Sequence, residues 1–204
     1  MRKFDTPTPV SATFAIPAGR IQIIAADRAD TTVEVRPTDA AKNRDVTAAE
    51  RVQVNYADGV LRIEAAKPSN PLRGSSGSVE VTVQLPAGSN IEGKTASADL
   101  RGVGRLGDVT FEGAAGSIKV DETATARLTL ASGDITVGRL NGSAQISTNK
   151  GMSRNPDVRL LGTVVQDVRG AGDHVNPPGM DLSVHRITAR PVPQAGPAGR
   201  RAGR

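Results

Sequence analysis

The chain has 204 residues, no cysteine, three Phe, one Tyr, no Trp and a formal charge of +5. Without cysteine there is no disulfide framework and no thiolate metal site. With so few aromatic rings the core must be built from Val, Ile, Leu and Ala, which suits the narrow interior of packed strands better than a broad ligand pocket. The charge is uneven: residues 151–204 hold eight Arg and four Asp, which leaves 18 Lys+Arg and 17 Asp+Glu in residues 1–150. The body therefore has an ordinary mixed surface, and the basic character belongs to the end of the chain.

The start, MRKFDTPTPVSATFAIPAGR, has two basic residues followed by Asp5, Pro7, Pro9 and Pro17. It lacks the apolar stretch of about 7–15 residues that a secretory signal needs. No apolar run approaches the roughly 20 residues of a membrane helix. The expectation is a cytoplasmic protein.

Ala12–Ile16, Ile21–Ala25 and Thr32–Arg36 are short, β-branched and alternating, separated by PAGR and DRADT turns, and read as strands. Residues 43–50 (NRDVTAAE) are the one helical turn expected. Val52–Tyr56 and Val60–Glu64 flank Ala57-Asp58-Gly59, where the Asp-Gly pair supplies the positive φ of a tight hairpin. Lys67–Ser78 is a Pro/Gly/Ser loop. Val79–Leu85 (VEVTVQL) alternates fully and is the clearest strand.

Three stretches then align: Ser97–Ala114, Ala115–Ala131 and Ser132–Asn149, with a fourth opening at Lys150–Met152. Asp99, Ser117, Asp134 and Met152 occupy equivalent places, a period of 17–18 residues. A unit so short cannot bury its own apolar face, so copies must stack into one core. The inward candidates are Leu100, Val109, Phe111, Ile118, Val120, Leu128, Leu130, Ile135, Val137, Ala144 and Ile146. Gly107, Gly113, Gly116, Gly133, Gly138 and Gly142 are expected at corners, where positive φ is needed. The fold expected is all-β: a short β-solenoid or β-helix-like stack of 17–18-residue repeats, preceded by an antiparallel β region and followed by a poorly ordered tail. The divisions expected are 1–96 (β region packing on the stack), 97–152 (repeats), 153–190 (degenerate or capping β segment) and 191–204 (disordered basic tail). Within the third, Leu160–Val168 and Leu182–Ala189 read as strands.

Ile21-Gln22-Ile23-Ile24-Ala25, VEVRP (Val33–Pro37), VEVTVQLPAGS (Val79–Ser89) and SGDITV (Ser132–Val137) together resemble the bacterial "putative adhesin" family of uncharacterised function, common in actinobacteria. The likeness spans about residues 4–151. It implies stacked, turning strands and no catalytic residues. Family members usually continue with several more copies, whereas here Met152-Ser153-Arg154-Asn155-Pro156 stands where an acidic turn is expected.

Chemistry-bearing motifs are few. Gly102-Val103-Gly104-Arg105-Leu106-Gly107 spells G-x-G-x-x-G, but Asp108-Val109-Thr110-Phe111 reads as strand, so no helix N-terminus is available for a pyrophosphate and a corner is expected. Asp99, Asp108, Asp121 and Asp134 lie in or beside turns. No G-G-x-G-x-D phrase is present to make them a calcium roll, and Ser132-Gly133-Asp134 is explained by Asp favouring turns through side-chain-to-backbone bonds. His174 and His185 stand alone in the last segment, and Asn141-Gly142-Ser143 reads as a turn. No catalytic, cofactor or metal residue is therefore assigned. Arg186, Arg190, Arg200, Arg201 and Arg204 allow weak, non-specific polyanion contact, without aromatics for specific nucleic-acid recognition. The function expected is a non-enzymatic interaction or scaffold surface with an unknown protein or surface partner and possible oligomerisation through the stack ends. The alternatives are a bactofilin-like self-assembling rod and a carbohydrate-active β-helix enzyme.

Overall fold

Eleven strands and one helix make up the described part of the computed structural model, which comprises residues 1–65, 77–150, 153–154 and 164–168. In chain order they are β1 (Arg2–Asp5), β2 (Ser11–Ala15), β3 (Ala18–Ala26), β4 (Asp30–Pro37), α1 (Asn43–Glu50), β5 (Val52–Ala57), β6 (Val60–Ala65), β7 (Val79–Pro86), β8 (Asn90–Leu140), β9 (Ala144–Lys150), β10 (Ser153–Arg154) and β11 (Val164–Val168). The chain is all-β, as its alternating runs require. The helix falls on the expected residues. The β5–β6 hairpin turns at Asp58 (φ 51°) and Gly59 (φ 76°), with Ala57 opposite Val60.

β8 is one hydrogen-bonded ribbon of 51 residues. Extended straight it would span about 170 Å. Its large buried apolar residues from Ile91 to Leu140 instead belong to a single core cluster, so the ribbon must turn repeatedly. The partners show how. β2 lies parallel to its first part with Ser11 opposite Asn90, and β3 parallel to the next with Ala18 opposite Ser97. Both pairings have the same offset, so residues 11–24 form one layer under 90–103. β6 and β7 lie parallel beneath β2 and β3 in turn, with Val60 opposite Ser11 and Val79 opposite Gly19. Above, β9 is parallel to β8 with Ala126 opposite Ala144, β10 is parallel to β8, and β11 is parallel to β9.

The expectation of an antiparallel region before residue 97 is thus corrected. Among the described residues only β1–β4, β4–β7 and β5–β6 are antiparallel. The physical reason lies in the links. Ile16-Pro17 between β2 and β3 turns a corner without reversing the chain, and the Pro17 carbonyl accepts from the amides of Ala96 and Ser97 in the next layer. Two short strands separated by a turn read as a hairpin in sequence, but here they are the two sides of one layer.

The path of paired strands runs β1-β4-β7-β3-β8-β2-β6-β5 and nearly closes. At its ends, the Phe4 and Tyr56 rings lie 5.4 Å apart and the Arg2 guanidinium donates to the Val54 carbonyl. The result is a barrel-like sheet whose last gap is bridged by side chains. All the inward candidates named from sequence are buried, with Phe111, Leu128 and Ile135 at 0% exposure. Gly116 and Gly133 have the expected positive φ (134° and 133°), whereas Gly107, Gly113, Gly138 and Gly142 do not. At these four the constraint is room: a Cβ on Gly138 would lie 2.5 Å from the Asp121 carbonyl oxygen of the neighbouring layer. Residues 67–76 of the expected loop, the expected strand at Leu182–Ala189 and the expected tail at 191–204 lie outside the described residues. Of Leu160–Val168, the part Val164–Val168 is strand.

Candidate functional site

Parallel registration lines up residues from distant parts of the chain. One buried-to-half-buried column runs Val79, Gly19, Ala98, Gly116, Gly133, each against the next layer's backbone. The residue after each faces solvent, which gives an outer row: Arg36 opposite Glu80, Glu80 opposite Arg20, Arg20 opposite Asp99. Asp99 in turn accepts from the Ser117 amide (2.9 Å) and hydroxyl (2.7 Å). Strand spacing sets a step of about 4.8 Å along this row. Arg20 and Glu80 form an exposed ion pair at 3.5 Å.

A groove of about 440 Å³ opens beside this row. Its floor is Gly19, Ala98 and Gly116, and its walls carry Arg20, Glu80, Asp99 and the hydroxyls of Thr38, Ser78 and Ser97. Thr38 Oγ1 donates to Ser78 Oγ (3.0 Å), and the Thr38 amide donates to the Ser78 carbonyl (3.1 Å). Ser78 is held in place from behind by Asp45, a buried carboxylate on α1 that accepts the Ser78 amide at 3.0 Å. The groove offers hydroxyls and fixed charges of both signs. Glu80 and Asp99 are separated by the intervening strand of Arg20, so their charges are offset by a guanidinium rather than shared between them.

The residues weighed from sequence are dispersed. Gly102–Gly107 lies inside β8; Gly104 has φ 85° and sits against the Ala25 carbonyl, so the motif is a bend in a strand. Asp99, Asp108, Asp121 and Asp134 are not brought into one cluster. Asp108 Oδ1 accepts from Thr125 Oγ1 (2.6 Å) and the Asp108 amide donates to Asn90 Oδ1 (2.8 Å), so each bond joins one layer to the next. Asn141 Nδ2 donates to Glu122 Oε1 (2.9 Å), again across layers. Among the described residues no group of three or more His, Asp or Glu side chains is placed to hold a metal. His174, His185 and Arg186–Arg204 lie outside the described residues.

The interlayer polar bonds were missed in the sequence. Their signal was present: the donors and acceptors recur 17–19 residues apart, as do the apolar positions. A second cluster, at the β3–β4 turn, was also missed. Arg28 donates to both Asp30 oxygens (2.9 Å each) and to Gln84 Oε1, and Lys3 Nζ lies 3.2 Å from Asp30. The Arg28 hydrogen bonds, helped by Lys3, lower the Asp30 pKa from 3.8 to about 2. The Ala41 amide, then Lys42, lowers that of Asp39.

No protein family's sequence profile matches the chain, and no curated protein matches it. Among solved structures, it is similar to one from Bacteroides fragilis described as a putative adhesin, at 12% identity and TM-score 0.38, covering 83% of this chain and 93% of that one. A second, from Parabacteroides distasonis and also described as a putative adhesin, has 13% identity and TM-score 0.27, covering 84% and 93%. At these identities and scores the likenesses carry no argument about fold or function.

Proposed function

We propose that this chain is a non-enzymatic, adhesin-like β-solenoid whose outer polar rows form an interaction or scaffold surface. What supports the solenoid is the succession of parallel pairings together with hydrogen bonds such as Asp99–Ser117 and Asp108–Thr125 between residues 17–18 apart. The observation that carries the functional reading is the outer row Arg36, Glu80, Arg20, Asp99, Ser117 beside the small-residue groove. Each residue in it is set on a strand, so the backbone register fixes the order of alternating charge. Alternating charge gives specificity more than affinity.

The full chain, immobilised and screened against glycan, peptide and polyanion arrays, tests this. Binding lost on Arg20→Glu with Asp99→Lys, while the melting temperature holds, is the expected result. Binding that survives these exchanges, or none to any class, rejects the surface. Turnover of any polysaccharide would favour the carbohydrate-active alternative instead. The cytoplasmic location is part of this proposal and is tested by fractionation. Among the described residues no helix is long and apolar enough to cross a membrane.

A further inference from the structure

The link between β8 and β9 is the corner Asn141-Gly142-Ser143. Packing between layers accounts for its first two residues. Asn141 is exposed, and its side-chain amide reaches to the layer before, where Nδ2 donates to Glu122 Oε1 (2.9 Å). Gly142 has no room for a side chain: a Cβ there would lie 2.7 Å from the Ala124 carbonyl oxygen. The Asn141 amide donates to the Thr123 carbonyl and the Ala126 amide to the Ser143 carbonyl, both at 3.0 Å. The Gly142 amide donates to no acceptor among the described residues. Of the chain's asparagines only Asn141 precedes a glycine. With no Cβ on the following residue, the backbone nitrogen meets the least hindrance on its way to the asparagine side chain.

We propose that Asn141-Gly142 is a self-modifying site, at which the folded protein converts Asn141 to aspartate and isoaspartate at a rate restrained by Glu122. The Gly142 amide nitrogen, deprotonated by hydroxide, attacks Asn141 Cγ. The N–Cγ bond forms, the Cγ–Nδ2 bond breaks, and ammonia leaves with a proton from solvent. Water then opens the cyclic imide. Attack at the side-chain carbonyl leaves aspartate; attack at the main-chain carbonyl leaves isoaspartate, whose backbone is one atom longer. Glu122 opposes the first step in two ways. Its bond to Nδ2 holds the side chain toward the earlier layer, and its charge disfavours the anion formed on attack. After conversion the same contact changes sign. A carboxylate replaces the donating amide and faces Glu122, with Arg139, 3.4 Å from Glu122 Oε2, to offset the pair in part. The longer backbone of isoaspartate also shifts Ala144, the first residue of β9, from its place opposite Ala126. Conversion therefore loosens β9 from β8, with time and in one direction. This inference concerns the β8–β9 corner and stands apart from the reading of the outer row.

Timed incubation of the full chain in neutral to mildly alkaline buffers, followed by peptide mapping, tests it. Trypsin cuts after Arg139 and Lys150 and isolates Asn141 in the peptide Leu140–Lys150, with Asn149 as an internal control. Mass spectrometry is expected to show NH2 replaced by OH at Asn141 and not at Asn149, rising with time and with pH. The converted peptide should separate into an aspartate and an isoaspartate form. Asn141→Gln should abolish the conversion. Glu122→Gln keeps an acceptor but no charge, and should convert several-fold faster with an unchanged circular dichroism spectrum. Asn141→Asp should melt below the parent, and adding Glu122→Gln should recover the loss. A folded parent whose Asn141 stays intact while the isolated peptide converts overturns the inference. So does equal conversion at Asn149, a Glu122→Gln variant no faster than the parent, or an Asn141→Asp protein that melts as the parent does.

Discussion

Ile135 has no exposed surface, and its backbone is paired with Ser153 of the next layer. Replacing it by Asp puts an unpaired carboxylate in the shared core. The cost is several kcal/mol, roughly 3–5, against a total of about 5–15. A melt of Ile135→Asp within a degree or two of the parent would contradict this. Gly133 and Gly59 separate two reasons for glycine. Both have positive φ, but a Cβ at Gly133 runs into the Gly116 carbonyl, while at Gly59 nothing lies within 4 Å. Gly59→Ala should cost about 1 kcal/mol from backbone strain alone. Gly133→Ala should cost clearly more, because the clash is with backbone that cannot move without parting two layers. Urea midpoints of the two variants make the comparison. Asp30 gives a pH dependence. Its folded pKa is about 2, below the ordinary 3.8, because Arg28 and then Lys3 hold the carboxylate. Its contribution is therefore present above pH 3.8 and is lost as pH falls toward 2. Asp30→Asn should flatten the stability profile in that window and leave its shape at higher pH unchanged, as read by denaturation at a series of pH values.

At the scale of elements, β8 and β9 each pair with a strand from beyond residue 151. β10 pairs with Ile135 and Thr136, and β11 pairs with all of Ala144–Thr148. Deleting from Met152 onward bares the outer edge of β9, an exposed row of donors and acceptors that invites aggregation. Deleting 191–204 alone should leave folding unchanged, since PVPQAGPAGRRAGR has no apolar periodicity with which to pair or bury area. Size-exclusion profiles and melts of the two truncations decide this. A monomeric 1–151 fragment as stable as the parent would show that β11 contributes nothing.

At the scale of the molecule, most pairing is non-local. Ser11 meets Asn90 and Ala18 meets Ser97, 79 residues away, before the layers of 90–103 and 60–86 can enclose a core. Loop closure on that scale precedes its reward, so refolding is expected in milliseconds to seconds, as for other domains of high contact order. Stopped-flow refolding from urea measures it. A microsecond phase carrying the whole amplitude would mean that the local turns of β8 fold without β2 and β3.

Side-chain alternation in the sequence determined the all-β class, the inward residues, the β5–β6 hairpin and the helix at 43–50. These depend on period and on local backbone preference, both written within a few residues. Val79–Leu85 shows this most plainly: every second residue is apolar, and all four are buried. Strand direction and partners were decided by the tertiary structure. A corner such as Ile16-Pro17 and a hairpin look alike in sequence, because both are short breaks between strands. Only stacking on 90–103 shows that the chain turned without reversing. The outer row of Arg36, Glu80, Arg20 and Asp99 was illegible for the same reason. Its members come from four strands spread over more than sixty residues, and nothing but their shared register makes them neighbours.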